Sequence, residues 1–440
     1  MLVRIVLFTL LAVTASHVFA ASLSDIDVLH NELANIKRAY ETKIKALEER
    51  IESLEHDTQQ HKVSAAPVVQ TTPAVQERAS DFNPAISLVL TGTLADFSSN
   101  RDAAVPGFML GGESNPGTNG LSIGESELNI NSNIDNLFFG NLTLAVEDNS
   151  ESTNVNVEEA WFQTLALPHD FTIRGGRFFS AVGYRNEFHT HADDFVTRSL
   201  AYRVFLGGQY LDDGLQLRWL APTDQFLEFG AEWLRGDNFP ANGGGDGGKG
   251  VWDVFAHTGG DVGISNSWKA GVSWMSARAK NRKSTGGAQF NGDIDLTIAD
   301  AVWKWAPNGN AYRHNAKFES ALFWQNPDGR FMPSGGGSLP YDEDQWGGYV
   351  NAIYQFMPQW RVGLRYSWVN AGNPSALFNG TTLDTLGVSP KVYSLMMDWS
   401  NSEFGRLRLQ YSRDDSDIQS VDRIYLQYIF TIGAHGAHHF

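Results

Sequence analysis

The sequence predicts an all-β fold, a transmembrane sixteen-stranded antiparallel β-barrel preceded by an α-helical coiled coil. From residue 84 onward, short stretches alternate apolar and polar residues with the period of two that is typical of β-strands. The connections alternate between short and long, as they do in outer-membrane barrels. Sixteen strands enclose a lumen too wide for side chains to fill. We therefore expect the polar faces to line a wet interior and the apolar faces to meet lipid.

The first twenty residues predict export. Arg4 precedes an apolar run from Ile5 to Val13, and small residues flank the end of the segment at Ala20, which together are typical of a signal peptide, residues 1–20. A transmembrane helix is the alternative. However, the run is short, and no later stretch of about 18 apolar residues predicts another spanning helix.

Residues 21–60 predict a coiled coil, and residues 61–83 predict a flexible linker. Apolar residues step by three and four, with one extra residue, a stutter, between the two halves. They are Ile26, Leu29, Leu33, Ile36, Tyr40, Ile44, Leu47, Ile51 and Leu54. A lone amphipathic helix is the alternative, and the number of strands in the coiled coil stays open. The linker contains Pro, Ala, Val, Gln and Thr without a period.

Residues 84–440 predict the barrel. In "GRLRLQYSR", for example, Leu407, Leu409 and Tyr411 form one face, whereas Arg406 and Arg408 lie on the other. The predicted strands lie near 85–97, 121–134, 137–147, 154–167, 171–181, 207–220, 225–235, 251–260, 266–278, 294–305, 313–325, 345–356, 360–370, 391–400, 404–413 and 422–433. The adjacent acids in "NVNVEEAWFQ" break the alternation, which indicates a bulge in the fourth strand or an error in its bounds.

The short connections have a chemistry of their own. Four contain proline, in "LALPHD", "LAPTDQ", "WAPNGN" and "FMPQW". Tryptophans at strand ends beside short connections predict an interfacial aromatic girdle, and these are Trp219, Trp305, Trp360 and Trp399. Core tryptophans of a large soluble β-protein are the alternative.

Composition excludes several classes of function. The formal charge of −17 argues against a nucleic-acid partner, which would select a basic face. The absence of cysteine excludes disulfides, thiolate zinc sites and a cysteine nucleophile. The glycine-rich "ANGGGDGGKG" lacks the βαβ context of a nucleotide site, and no GxSxG or HExxH motif occurs. The sequence therefore predicts a protein that is not an enzyme.

Membrane physics sets the expected location. An open strand edge in lipid would leave backbone groups unpaired, so the sheet must close. An even strand number puts the N- and C-terminal ends of the barrel chain on the same side of the outer membrane of a Gram-negative bacterium. The predicted coiled coil would then lie in the periplasm. Acids of the external loops, such as Asp342 and Asp344, could bind divalent cations that bridge lipopolysaccharide, and solvated loop charge is the alternative.

Across residues 84–440 the sequence resembles trimeric sixteen-stranded bacterial outer-membrane porins. Phe440, after the final strand "IYLQYIF", is similar to the ending by which the outer-membrane assembly machinery recognises such barrels. "FNPAISLVLTG", "DWSNSEFGRLRLQYSRD" and "YLQYIFTIGAHGAHHF" resemble more narrowly porin-like proteins of uncertain substrate, some of them labelled zinc-regulated or TonB-dependent receptors. A coiled coil and a linker stand where a TonB-dependent receptor has a plug domain. The resemblance implies a homotrimer.

The stretch "RNEFHTHADDF", residues 185–195, lies in the third long connection, 182–206. The resemblance implies that this loop folds into the lumen and that its polar residues form the constriction, namely Glu187, His189, His191, Asp193 and Asp194. The polar faces of the strands predict a pore wall of Arg361, Arg365, Arg406, Arg408, Arg423, Glu125, Glu127, Glu228 and Glu232. Acids facing arginines across water would create a transverse field that orients polar solutes.

Zinc binding is a second interpretation of the same stretch. In an extended segment His189 and His191 point the same way, and a carboxylate such as that of Asp193 could complete the ligands. Pore lining or loop packing without metal is the alternative. The terminal "GAHGAHHF" raises the same question at the periplasmic rim. No resident cofactor is predicted beyond a loosely bound divalent cation.

These observations predict a porin that allows passive diffusion of small hydrophilic solutes or ions through a water-filled barrel. Two alternatives remain open. One is a channel specific for a divalent metal such as zinc, or for its chelate. The other is a structural envelope tether that acts through the coiled coil.

Overall fold

The computed structural model describes residues 84–99, 104–149, 152–241 and 250–433 of the chain. The predicted signal peptide (1–20), coiled coil (21–60) and linker (61–83) lie outside the described residues, as does Phe440. In the described residues, no helix is long and apolar enough to cross a bilayer.

Strands make up most of the described chain, with one short α-helix. The strands are β1 Ala85–Phe97, β2 Gly120–Ser122, β3 Ser126–Asn133, β4 Phe138–Asn149, β5 Ser152–Thr164, β6 Phe171–Phe179, β7 Leu211–Leu220, β8 Phe226–Leu234, β9 Val251–Val262, β10 Asn266–Lys283, β11 Gln289–Trp305, β12 Asn315–Met332, β13 Leu339–Tyr341, β14 Gln345–Met357, β15 Trp360–Asn370, β16 Lys391–Ser402, β17 Gly405–Asp414 and β18 Val421–Gly433. The helix, α1, is Leu200–Phe205, and single 3-10 turns lie at Pro168–Asp170, Tyr184–Glu187, Thr190–Ala192, Pro307–Gly309 and Ala376–Phe378.

The sheet closes into a sixteen-stranded antiparallel barrel. β1 pairs with β18 from Ser87↔Gly433 to Phe97↔Arg423, which leaves no open edge between the first and last strands. β2 and β3 both pair with β1, and β13 and β14 both pair with β12. Each of these two pairs is therefore one barrel strand with a three-residue interruption, at 123–125 and at 342–344. The sixteen predicted strands are all present.

The two faces of the wall differ as the alternation predicts. On β17, Leu409 is 49% exposed on the outside, whereas its neighbours Arg408 and Gln410 are both fully buried inside. Leu364 on β15 is 60% exposed. Bands of outward apolar side chains are the surface that lipid requires, because the lumen already holds the polar face.

The short connections are tight turns. The two-residue connection Pro358-Gln359 joins β14 to β15, and Gln359 has a φ of 74°, the left-handed conformation that follows proline in a type II turn. The prolines of the other three motifs lie in the connections β5–β6, β7–β8 and β11–β12. Trp360 and Trp399 face each other beside a short connection, with ring centroids 6.2 Å apart.

The expectation of a wholly wet interior is wrong at the long-connection end. There an apolar cluster joins the inward faces of β10–β12 to α1 and to the connection after β1. It includes Phe108, Leu110, Phe205, Met275, Phe290, Leu296, Phe323 and Phe331. β10, β11 and β12 have 17 or 18 residues each, and near the long connections the polarity of their inward and outward faces is reversed. On β11, Ile294 and Leu296 point inward, whereas Asp293 and Asp295 point outward, which only a wall standing clear of lipid tolerates.

Candidate functional site

The lumen segment, residues 180–210, leaves the wall after β6 and returns to it at β7. Gly183 turns the chain inward with a φ of 75°, a conformation that glycine adopts without strain. Asn186 ties the two ends of the segment together. Its amide donates to the carbonyls of Ser180 (2.8 Å) and Tyr210 (2.7 Å) and accepts from the Tyr210 N–H (2.7 Å). The segment therefore enters the barrel through a fixed neck.

Within the lumen the segment alternates short turns with extended residues and then forms α1. The Ser199 hydroxyl accepts from the Tyr202 N–H at 3.4 Å and caps the helix, and all six helix residues are buried. Tyr202 packs edge-on against Phe323 with ring centroids 5.1 Å apart, and Phe205 stacks on Phe323 at 5.6 Å. The helix thus anchors the returning half of the segment in the apolar cluster.

Arg185 connects the segment to the opposite wall. Its guanidinium donates to Glu319 on β12, through Nε at 3.1 Å and also through Nη2, and contacts Asp193 Oδ1 at 3.3 Å. Arg198 reaches the other oxygen of Asp193 at 3.0 Å. Asp193 is therefore held between two arginines of its own segment.

Asp194 is the residue most tightly bound to the arginine wall. It is 4% exposed and forms ion pairs with Lys317, with Arg361 at 3.0 Å and with Arg185 at 3.6 Å. Burial would raise the pKa of Asp194, but the three cations outweigh it and hold that pKa well below its ordinary value.

The remaining wall arginines bind different parts of the segment. Arg406 donates to the carbonyl of His191, and Arg408 to that of Asp193. Arg365 donates to the carbonyl of Thr197, and its guanidinium lies 4.0 Å from the centroid of the Phe195 ring. Arg423 instead pairs with Asp414 near the outer ends of β17 and β18.

The charges are arranged differently from the predicted transverse field. The field required acids of the loop and arginines of the wall to face each other across water. Asp194 and Arg361 instead lie in direct contact, and the backbone of the segment accepts hydrogen bonds from Arg406 and Arg408. Opposite charges in direct contact cancel each other and leave little field across the lumen. These contacts therefore attach the segment to the wall.

The predicted acidic wall residues do not all reach the segment. Glu127 contacts both histidines, Glu125 accepts from the Thr190 hydroxyl, and Glu232 accepts from the Ala181 N–H at 2.9 Å. Glu228 pairs instead with His257 of the wall, at 3.0 Å. Glu187 pairs with Arg218. Burial would raise the pKa of Glu187, but Arg218 and Arg174 lower it below its ordinary value.

The two histidines converge on one carboxylate. His189 Nδ1 lies 3.0 Å from Glu127 Oε2, and His191 Nδ1 lies 2.8 Å from Glu127 Oε1, with the two rings stacked at 5.5 Å. Burial would lower the pKa of His189, but Glu127 and Glu158 raise it well above its ordinary value. One candidate metal-ligand group therefore consists of Glu127, His189 and His191.

Asp193 is not part of this group. The expectation that it joins the histidines fails, because the 3-10 turn Thr190–Ala192 carries it toward Arg185 and Arg198. The carboxylate beside the histidines comes from the wall.

A β-bulge supplies the other carboxylates. The register of β4 and β5 shifts between Thr143 and Leu144, where Glu159 opposes Thr143 and Val157 opposes Leu144. The unpaired residue is Glu158, so two consecutive acids are both buried, at 7% and 8% exposure. The bulge indicated by "NVNVEEAWFQ" is thus present. It turns the side chains of Glu158 and Glu159 toward His189, at 3.2 Å in each case.

A cavity of about 630 Å³ lies below this cluster. Asn131, Gln163 and Leu220 line it beside the short connections, and His189, His191 and Glu127 line it at the lumen segment. It therefore runs from the short-connection end of the barrel to the Glu–His cluster.

Sequence reasoning missed several site residues for identifiable reasons. Arg185 lies in the stretch "RNEFHTHADDF", but no local pattern predicts a role for it, because its partner Glu319 is 134 residues away. Lys317 and Glu319 are two residues apart on the inward face of β12, so the period of two does predict that both side chains face the lumen. In the sequence Glu158 and Glu159 appear only as a break in the alternation, which carries no sign of their contact with His189.

Comparison with known proteins bears on the fold. No protein-family model matches the chain. A protein of Aquifex aeolicus (strain VF5), described only as uncharacterized, is 27% identical over 391 residues, which cover 82% of this chain and 80% of that protein.

Two solved structures are similar to the barrel. The outer membrane channel DcaP of Acinetobacter baumannii has a TM-score of 0.51 at 12% identity and covers 80% of this chain and 97% of its own. Salmonella typhi OmpF, in complex with daunomycin, has a TM-score of 0.51 at 11% identity and covers 79% and 97%. These likenesses support the porin-like barrel fold. They give no support to the narrower resemblance to proteins labelled zinc-regulated or TonB-dependent receptors.

Proposed function

We propose that the chain forms an outer-membrane channel for small hydrophilic solutes or ions, in which the lumen segment narrows the barrel. The observation that carries this proposal is the position of the segment. It contacts β3, β8, β12 and β17 from inside a closed wall whose outer face is apolar. The half of the lumen beside the short connections is polar, so contact with lipid accounts best for the apolar outer surface of the barrel.

The charge at the inner end of the cavity sets the expected selectivity. Glu127 and Glu159 line the cavity beside the lumen segment, Glu125 and Glu158 lie next to them, and in the described part of the chain no arginine or lysine forms an ion pair with any of these four. Three cations also line the cavity, but its five acids outnumber them; the cations are Arg174, Arg218 and Lys269, and the acids are Glu127, Glu159, Asp170, Glu187 and Glu228. Arg361, Arg406 and Arg408, by contrast, are bound to Asp194, Asp398 and the backbone of the segment. Cations should therefore be preferred over anions.

The test is single-channel current of the purified protein in a planar bilayer under a salt gradient. We expect stepwise currents and a reversal potential of the sign given by cation preference. A correctly folded barrel that carries no current would overturn the diffusion proposal. An anion-selective current would overturn the assignment of the acidic cluster as the selective element.

Trimeric assembly, contact with lipopolysaccharide and recognition by the assembly machinery belong to the same proposal and stay predictions, as does the absence of enzymatic activity. The alternative role as an envelope tether depends on residues 21–60, which lie outside the described residues. Cross-linking of the full chain in intact membranes would test the trimer.

A further inference from the structure

We propose that Glu127, His189 and His191, together with Glu158, bind one divalent first-row transition-metal cation such as Zn²⁺, and that this cation ties the lumen segment to β3 and β5. The proposed site joins two ligands from the segment to two from the wall. It does not depend on conduction, because metal binding is measured on the protein in detergent.

The distances suit a coordination shell. The ligand atoms of Glu127, His189 and His191 all lie within 4.8 Å of one another, and Glu158 Oε2 is 3.2 Å from His189 Nδ1. Bond lengths of about 2.0–2.2 Å in a tetrahedral shell place neighbouring ligand atoms roughly 3.3–3.6 Å apart. Small side-chain adjustments therefore suffice to accommodate an ion at the centre.

Two buried polar atoms are aimed at this centre without a hydrogen-bond partner. They are His189 Nδ1 and Glu158 Oε2, which lie 3.2 Å from each other. Close approach without hydrogen-bond geometry is what converging lone pairs produce, and an unsatisfied buried group is costly. A cation between them would satisfy both atoms.

The far side of the His189 ring is held as metal-bound histidines usually are. Nε2 lies 3.2 Å from Glu159 Oε2, and the Trp161 indole N–H donates to the other oxygen of that carboxylate at 3.1 Å. Phe179 packs edge-on against the ring with centroids 5.2 Å apart. A carboxylate on one ring nitrogen fixes the tautomer and leaves the lone pair of the other nitrogen for a metal.

The charge balance also favours a cation. Four carboxylates, Glu125, Glu127, Glu158 and Glu159, meet two imidazoles, so that even two protonated histidines would leave a net negative charge. The imidazole ligands favour zinc, nickel or copper over calcium and magnesium, which prefer oxygen alone. The cavity below the cluster reaches His189 and His191 and gives an ion a route to the site.

The experiment is a titration of the full chain, stripped of metal with a chelator and purified in detergent, with Zn²⁺ by calorimetry. The double variant His189→Gln, His191→Gln removes both nitrogen ligands and corrects for binding by the C-terminal histidines. His257→Gln is the matched control, since His257 is buried beside Glu228 but belongs to no group of three metal-ligating side chains in the described part of the chain. Each variant is first checked for the heat-modifiable migration of a folded barrel.

We expect one more equivalent of Zn²⁺ on the wild type and the His257 variant than on the double variant. Glu127→Gln should weaken that binding at least tenfold, and Zn²⁺ should slow amide exchange of residues 187–194. If Glu127→Gln does not fold, His191→Gln takes its place with the same expected loss. Equal stoichiometry in the wild type and the double variant would overturn the proposal, as would displacement of Zn²⁺ by an equal concentration of Ca²⁺.

Discussion

Asp194→Asn should release the lumen segment from the wall. The carboxylate is buried and is shared by Lys317, Arg361 and Arg185, so neutralising it leaves three cations in the lumen without their common partner. Removing one partner of a buried charge pair costs about 3–5 kcal/mol. If the segment opens as a unit, its opening equilibrium should rise about 100- to 4000-fold, at about 1.4 kcal/mol per factor of ten.

Hydrogen exchange measures this opening directly. Peptides from residues 182–206 are followed by mass spectrometry in the folded protein, and their exchange should accelerate by the same factor while the barrel strands keep their protection. The matched control is Asp213→Asn. Asp213 pairs with Arg177 at 2.7 Å, with both side chains more than a third exposed, so its loss should cost about 0.2–1 kcal/mol, or roughly fivefold at most.

The comparison of the two variants decides the point. If Asp194→Asn accelerates exchange no more than Asp213→Asn does, the ion pairs do not hold the segment and the reasoning is refuted. Faster exchange throughout the strands would mean that the variant destabilises the barrel instead of the segment.

Four further predictions concern the same segment and its wall. Because the pKa of Asp194 is depressed, its contribution to stability is complete above the ordinary carboxyl range and is lost as pH falls through the lowered pKa. Amide exchange of the segment, corrected for the intrinsic exchange rate, should therefore stay constant from about pH 7 to pH 5. Faster exchange in that window would contradict the assignment. Gly183→Ala places a Cβ 2.9 Å from the Tyr202 hydroxyl at a φ of 75°. Amide exchange at the neck should therefore show that the free energy of opening falls by about 1–3 kcal/mol. Unchanged exchange there would argue against strain. Phe205→Ala empties a fully buried site and should cost α1 about 3–5 kcal/mol of protection, whereas an undiminished value would mean that the helix does not depend on the apolar cluster. Leu364→Arg puts a charge on the outer face and should cost about 2–4 kcal/mol in a urea titration of folding into lipid vesicles, and an unmoved midpoint would show that this face does not meet lipid.

Local patterns were sufficient to predict the strands. The alternation of Arg408 with Leu409 and of Gln410 with Tyr411 specifies both the strand and its two faces, because neighbouring side chains of a strand must point to opposite sides. The interruptions at 123–125 and 342–344 were not predicted, since the residues on either side keep the period and only the pairing with β1 and β12 reveals the break.

The candidate site depended on contacts that no local pattern contains. The sequence singles out His189 and His191, but their carboxylate partner Glu127 lies more than 60 residues earlier and reaches them only because the segment after β6 folds into the lumen toward β3. Asp193 is the nearer acid in sequence, and a single turn takes it to the opposite side of the segment. The apolar cluster at the long-connection end of the lumen was not predicted. Ile294 and Leu296 look like lipid-facing residues until the loops that cover them are placed.

The lumen segment also acts as a mechanical brace. A thin cylindrical sheet flattens readily under uneven lateral pressure, because its hydrogen bonds run around the circumference and resist bending poorly. Here one segment is fastened to Glu127 on β3 and to Glu319 on β12, and Arg408 of β17 holds its backbone between them. Separating the parts of the wall that the segment joins would have to break a buried polar contact, so the segment should resist deformation of the barrel when membrane tension changes.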